Sequence, residues 1–599
     1  MPSFNRSTKS LFLPGRFRLK LLSLALVGCA LWGNVIPVQG ETFNPTSGTG
    51  HSWTAPSNWS PEGVPDAIDA AAIFQATTTT TASASLTQTV QLGSFTVDLT
   101  SGSWSVTGSG KIQWNTSAPT VNPSIHLKAH ATNARSLTLE AGLIDATGPG
   151  LKKGLDITGE GAARVTLNFQ GDNSGFTGGF NLKSTTAQTI VFSTAQSLGN
   201  NEVRVFGSSY QLRFGNNASD TNWSFANHIA MEDGAAKVGI YSNAKSGYTT
   251  TLTGVVSGKG GVEFWSYYGG GLELTGENTY EGTTLIAGGL RLTFHDVSNF
   301  GTGDTISFAR SISDPTLIYA EGNTQDLTLK ADGITRRTVD LRNAQVRIDT
   351  GLNDVTFTNA LSGSQADSGL IKQGEGTLRL RGANGQRALT TVEAGTLLIN
   401  NTTGSGTGTG QVTINAGAVL GGTGAARPDA DRSITVEAGG TLAPGDSLET
   451  NSVGILTLDL SNTTGRLVLE DDSRLAFELA SGLLSDQLVI QSESAGSVSF
   501  EGTTTLHLSP LAGVTLEEGD YILFQAGGDD IYTGLTVDGE HRITGGLLIG
   551  PGLAGYQSSL WLNDGDIVLS LQAIPEPSSL AMLSAMAALI VIGRFRRRR

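Results

Sequence analysis

The chain has 599 residues, 79 of them Gly, a single Cys, 15% charged residues and a formal net charge of −15. This thin, net acidic charge excludes a nucleic-acid binder, which needs clustered Lys and Arg to neutralise phosphates, and the lone Cys excludes disulfides and cysteine metal sites in the body. Gly at nearly twice the ordinary share of about 7%, set between alternating runs of Val, Leu, Ile and Thr, predicts many short strands joined by many tight turns.

Residues 1–40 read as a signal peptide. Lys9, Arg16, Arg18 and Lys20 precede the apolar run 21–31, the order of a secretory signal. Val38 and Gly40 place cleavage after Gly40. Leu26-Val27-Gly28-Cys29 offers a rival reading, in which Cys29 is lipidated. From Glu41 to about Ala72, Trp53 and Trp59 flank Asn58, and Gly63-Val64-Pro65 precedes the apolar residues 70–74. This stretch is expected to cap a solenoid, its rings covering the first coil. The functional alternative is a carbohydrate-binding module with Trp53, Trp59, Trp104 and Trp114 on one open face.

Two periods organise the body, residues 41–455. The coarser is about 105 residues: Gly171-Asp172-Asn173-Ser174-Gly175-Phe176 recurs as Gly276-Glu277-Asn278-Thr279-Tyr280 and as Gly382-Ala383-Asn384-Gly385, with Arg387 near the place of the aromatic. An alternating run precedes each copy. The finer period is 22: Val392-Glu393-Ala394-Gly395, Ile414-Asn415-Ala416-Gly417 and Val436-Glu437-Ala438-Gly439, followed by Leu398, Leu420 and Leu442. That period suits one coil of a right-handed parallel β-helix, with Val392, Ile414 and Val436 forming one interior ladder, the three Leu another, and the Ala-Gly pairs at a corner. The stretch from Leu272 through Gly276-Glu277-Asn278-Thr279-Tyr280-Glu281-Gly282 to Leu292 resembles the autotransporter-associated β-strand repeat. The resemblance implies a β-helical passenger region on a bacterial surface.

Residues 456–572 alternate over 467–469, 474–479, 486–490, 503–508, 520–525, 558–562 and 566–571, with Asn563-Asp564-Gly565-Asp566 as a hairpin turn. They are expected to form a small C-terminal antiparallel β domain that protects the last edge. Residues 573–599 form a tail. Ile574-Pro575-Glu576-Pro577 is followed by an apolar stretch, 578–593, then Arg594, Phe595, Arg596, Arg597, Arg598 and Arg599. Sixteen helical residues reach about 24 Å, close to a single transmembrane helix, and the arginines would stop transfer on the cytoplasmic side. This tripartite tail resembles the PEP-CTERM sorting signal. The resemblance implies an exosortase-type sorting enzyme and the export machinery as partners, processing at Pro575, Glu576 and Pro577, transient anchoring in the inner membrane, and an association with exopolysaccharide at the cell surface or in the extracellular matrix.

No catalytic, metal or cofactor site is expected. His126 and His130 are the only neighbouring pair among seven scattered His. The pairs Asp429/Asp431, Asp471/Asp472, Asp529/Asp530 and Asp564/Asp566 read as solvated turns, since none sits in a repeated Ca²⁺-binding pattern. The sequence therefore predicts an all-β, non-catalytic surface protein of structural or adhesive type. The competing class is a β-helical polysaccharide lyase or hydrolase, which would show a carboxylate cluster in a groove.

Overall fold

A short β-run with one apolar face is stable only when its neighbour covers that face, so a chain of such runs must stack. The computed structural model describes residues 40–574, apart from 46–47, 77–80, 100–101, 130–134, 148–152, 162, 185, 208–209, 233, 364, 430, 447–451, 463 and 493. The signal-peptide reading with Cys29, residue His130, and the tail from Pro575 to Arg599 lie outside the described residues. The described chain is all-β. Its sheets are built by parallel pairing of strands about one coil apart, as in a β-helix.

In chain order the strands visit three walls in rotation. Wall one runs from Glu41–Phe43 to Val256–Gly258, then resumes from Val355–Phe357 to Leu547–Ile549. Wall two runs from Gly48–Ser52 to Leu361–Ser362 and resumes at Ala425–Ala426. Wall three runs from Val90–Leu92 to Gly142–Asp145 and resumes from Trp223–Phe225 to Tyr532–Thr533. Where one wall pauses, loops take its place and the other two continue.

Interior ladders run along this stack. Val392 pairs with Ile414 and Ile414 with Val436, as the 22-residue period predicts, and all three are fully buried. The second ladder needs a correction: its step is Leu397, which pairs with Leu420, while Leu398 lies opposite Gly421. Only three residues separate Val392 from the strand Thr396–Ile399, whereas four separate Ile414 from Val419–Gly422. One residue fewer in the turn flips the strand's faces. The corner glycines have φ of +65° at Gly395 and +77° at Gly417 and Gly439, a region costly for residues with a Cβ, but a side chain lacks room only at Gly395, since a Cβ at Gly417 meets nothing within 4 Å and one at Gly439 meets Ala416 at 3.4 Å.

The Leu ladder also moves the expected boundary near residue 455. Leu442 pairs with Leu475, Leu475 with Leu506, and Leu506 with Ile549, all in parallel. The coil therefore continues through most of 456–572. Antiparallel pairing is concentrated at the end, where Gly519–Gln525, Asp566–Ala573 and Tyr556–Asn563 are neighbours. Alternation alone misleads here: a solenoid wall and an antiparallel sheet each have one buried and one wet face. The turn at Asp564-Gly565 is a hairpin, with φ of +50° and +92°. Among the described residues no helix is long and apolar enough to cross a membrane.

Candidate functional site

The three Gly-x-Asn copies occupy equivalent places. One coil after a wall's last strand, each loop takes that wall's place: the loop of Asn173 lies over Gly142–Asp145 of wall three, that of Asn278 over Val256–Gly258 of wall one, and that of Asn384 over Leu361–Ser362 of wall two. A strand that ends a wall leaves N–H and C=O groups without a neighbour. Asn supplies the missing neighbour with its side chain. Leu143 N–H donates to Asn173 Oδ1 (2.7 Å), Val256 N–H to Asn278 Oδ1 (2.7 Å) and Leu361 N–H to Asn384 Oδ1 (2.8 Å). Each donor lies on the terminating strand. Each amide then donates onward to the next coil, to Ser197 O (2.5 Å), Asn299 O (2.6 Å) and Gly406 O (2.6 Å). The preceding Gly lets the loop pass close: a Cβ on Gly171, Gly276 or Gly382 would fall onto the backbone of the coil before.

The neighbouring aromatic position anchors the loop. Tyr280 is fully buried and its hydroxyl shares a 2.6 Å hydrogen bond with Thr284 Oγ1; burial pushes its pKa well up. In the third copy Gln386, not Arg387, takes the place. Its Nε2 donates to Thr390 Oγ1 at 3.1 Å, again four residues on. An amide thus replaces a phenol while the bond is kept.

Two buried cations escaped the sequence reading. Arg337 is fully buried and donates to the carbonyls of Gly301 (2.6 Å), Val297 (3.2 Å) and Gly303 (3.3 Å). Burial lowers its pKa. Lys372 stands in an interior ladder between Ile348 and Val392. Its Nζ reaches the carbonyls of Gly374 (2.7 Å), Gln373 (2.8 Å) and Ala394 (3.2 Å), and burial lowers its pKa to about 8. Both side chains serve backbone carbonyls at turns.

The sequence candidates separate cleanly. Trp53, Trp59, Trp104 and Trp114 are at most 2% exposed, so they are core and do not form an open sugar platform. Trp59 Nε1 donates to Trp53 O at 2.7 Å, and Phe43 and Phe74 pack on both indoles or their neighbours. His126 is bound to Thr158 Oγ1 (2.7 Å) and faces Glu160 (3.6 Å). Among the described residues no group of three or more His, Cys, Asp or Glu could hold a metal ion. The acidic pairs are turn residues: Asp471 accepts from Thr503 N–H and Asp529 from Gly565 N–H.

Carboxylates do meet in one shallow cavity of about 260 Å³ on the outside of wall one, lined by Asp446, Glu478 and Asp486. Two of them are already engaged in holding backbone or side chains. Arg379 Nε and Asn400 Nδ2 bind Asp446 at 2.9 and 2.8 Å. Asp486 accepts the N–H groups of Gly454 and Glu478 at 2.7 and 2.8 Å, and burial pushes its pKa up to about 6.

The outward aromatic cluster lies elsewhere, on wall two. Tyr241 and Trp265 are cross-strand neighbours with ring centroids 5.4 Å apart. Tyr267 stacks on Trp265 at 5.2 Å, Arg213 lies 4.2 Å above Tyr267, and Tyr268 is 41% exposed. The local signal is Trp265-Ser266-Tyr267-Tyr268 after an alternating run.

Comparison with known proteins identifies the repeat. Residues 268–292 and 370–399 match the passenger-associated-transport-repeat family. These stretches hold the second and third Gly-x-Asn copies. Over 227 residues, 37% of this chain, the protein is 29% identical to the adhesin BmaC autotransporter of Brucella suis biovar 1 (strain 1330). That alignment covers 6% of the length of the Brucella protein. The chain thus carries two passenger-associated transport repeats, each at the point where a wall of its coil ends.

Proposed function

We propose that the protein is an exported, non-catalytic surface protein that works by adhesion. The observation that carries this reading is the pair of passenger-type repeats at 268–292 and 370–399. A relative that is named as an adhesin supports it. The physical design agrees: the Asn of the repeats and the buried Lys372 and Arg337 bind backbone, and Tyr280 binds Thr284, which spends the chemistry of the coil on rigidity. A stack of coils that presents the same outer walls over many steps is suited to many weak contacts.

The finer part of the reading is sorting through the tail. Pro575, Glu576 and Pro577 form the handle for an exosortase-type enzyme, and Arg594 with Arg596, Arg597, Arg598 and Arg599 forms the stop signal. The partners are the export machinery, the inner membrane for a time, and exopolysaccharide. The test is attachment of cells to a surface with and without the chain. Loss of attachment on deletion, restored by the full chain, is the expected result; unchanged attachment contradicts the adhesive reading. Replacing Pro575, Glu576 and Pro577 by Ala, with residues 578–599 kept, should leave an unprocessed membrane-held form, and normal release contradicts the sorting reading.

A further inference from the structure

Where wall one ends after Val256–Gly258, a groove of about 320 Å³ opens on the outside of wall two. Its lining includes Lys237, Lys259, Arg342, Glu263, Leu285 and Ser307. The lining holds three cations and one carboxylate, and Asp340, opposite Ser307 and bound to Arg342 N–H, adds a second, which leaves this groove at +1 in a chain whose net charge is −15. Lys237 and Glu263 hold each other at 2.9 Å. Arg342 stands in a left-handed backbone conformation, φ +43°, fixed by its N–H to Asp340 Oδ1 at 3.1 Å, a strain that a non-Gly residue bears only where the surroundings impose it. The floor is low, because Gly261 stands beside Glu263 on the same outward row. Two residues further along that strand the row reaches Trp265, with Tyr241, Tyr267, Tyr268 and Arg213 around it.

We propose that this face is a binding site for an acidic glycan, a polysaccharide carrying carboxylates on its sugar rings. The inference rests on the adhesive reading and names its ligand class. Charge complementarity selects an anion, and the sign is opposite to that of the protein as a whole. The partly exposed rings of Trp265 and Tyr267 and the exposed ring of Tyr268, with the buried Tyr241 behind them, select a ligand with both a carboxylate and a flat apolar face, which a sugar ring has and a free phosphate lacks. The cations and rings lie on neighbouring strands of wall two, about 4.8 Å apart along the stack, so a linear polymer can touch several of them at once.

The test uses the full chain and two immobilised polymers, polygalacturonate and neutral dextran. The unsubstituted protein should bind polygalacturonate and not dextran, and added salt should weaken that binding. The double variant K259Q/R342N should weaken it about tenfold, with Asn chosen because it tolerates positive φ. Tyr268→Ala should weaken it roughly threefold. A thermal melt equal to that of the parent shows that a variant is folded, and Lys128→Gln, on wall one, serves as the charge control and should bind as the parent does. Equal binding by parent and K259Q/R342N overturns the proposal. So does retention on polyglutamate as strong as on polygalacturonate, which would assign the groove to acidic protein. If the parent binds no polygalacturonate while cells still attach through the chain, the glycan site is wrong and the adhesive reading survives; if the chain also makes no difference to attachment, the adhesive reading falls as well.

Discussion

The first and last coils of this stack both expose an apolar interior and a row of unpaired strand edges, and they cover them with different chemistry. At the N-terminal end the cover is aromatic. Phe43, Trp53, Trp59 and Phe74 are at most 1% exposed and pack ring against ring at 4.8 to 5.9 Å, while the strand Trp59–Ser60 turns antiparallel onto Glu41–Phe43. At the C-terminal end the cover is backbone. The hairpin of Tyr556–Asn563 and Asp566–Ala573 adds antiparallel strands beside Gly519–Gln525. Rings close the core at one end and hydrogen bonds close the edge at the other. The three Gly-x-Asn loops apply the second solution in miniature wherever a wall pauses, with one side-chain amide standing in for a strand.

The sharpest way to break this comparison is Trp59→Ala. It removes a buried indole that touches both Phe43 and Trp53, and should cost about 3–5 kcal/mol, read by urea unfolding, with the loss of hydrogen-exchange protection concentrated in residues 41–114. At the other end Leu569→Ala empties a fully buried position of the closing hairpin and should cost about 2–4 kcal/mol, with protection lost in 519–573 instead. If both variants melt the same amides, the ends are not independent caps.

The pH dependence separates the ends further, because rings do not titrate and Asp486 does. Folded, Asp486 keeps its proton to about pH 6; its ordinary value is 3.8. A raised carboxyl pKa contributes stability that is full below pH 3.8 and lost as pH rises through 6, on the order of 2 kcal/mol. Urea melts between pH 4 and 7 should therefore show falling stability of the C-terminal coils, and Asp486→Asn should flatten that slope. A rise in stability over the same range contradicts the assignment.

In the middle of the coil, Asn278→Ala leaves Val256 N–H and Asn299 O without their partner. The expected cost is about 1–2 kcal/mol, with protection lost at Val256. Gly417→Ala is the mildest change: a Cβ there meets nothing within 4 Å, so only its φ of +77° is opposed. A loss of about 1 kcal/mol is expected from this conformation alone.

Much of this was legible in the sequence because a solenoid stacks residue i on residue i+22. Val392, Ile414 and Val436 could be read as one ladder, and Asn173, Asn278 and Asn384 as one repeated position. The failures have equally local causes. The turn after Val392 is one residue short, which moved the Leu ladder from Leu398 to Leu397. Gln386 was passed over because its amide does not look like Tyr280, although both reach a Thr four residues on. Lys372 could not be read as interior because its stem lies in the ladder while its ammonium bends to the carbonyls of Gln373, Gly374 and Ala394 at and beyond the strand's end. Trp53 and Trp59 read as cap residues and are buried in the first coils, yet a surface role for them and for Trp104 and Trp114 is excluded only by their burial. The Trp265 cluster went unnoticed because nothing in its spacing separates an outward ring from an inward one two residues away.

The central claim is that this coil stands outside the cell, and labelling of intact cells tests it most directly. Ile334 is 85% exposed at a turn, and the only native Cys, Cys29, lies ahead of the expected cleavage point. Cells carrying Ile334→Cys should react with a membrane-impermeant maleimide without permeabilisation, and cells with the native chain should not. Labelling that appears only after the envelope is opened would contradict the account.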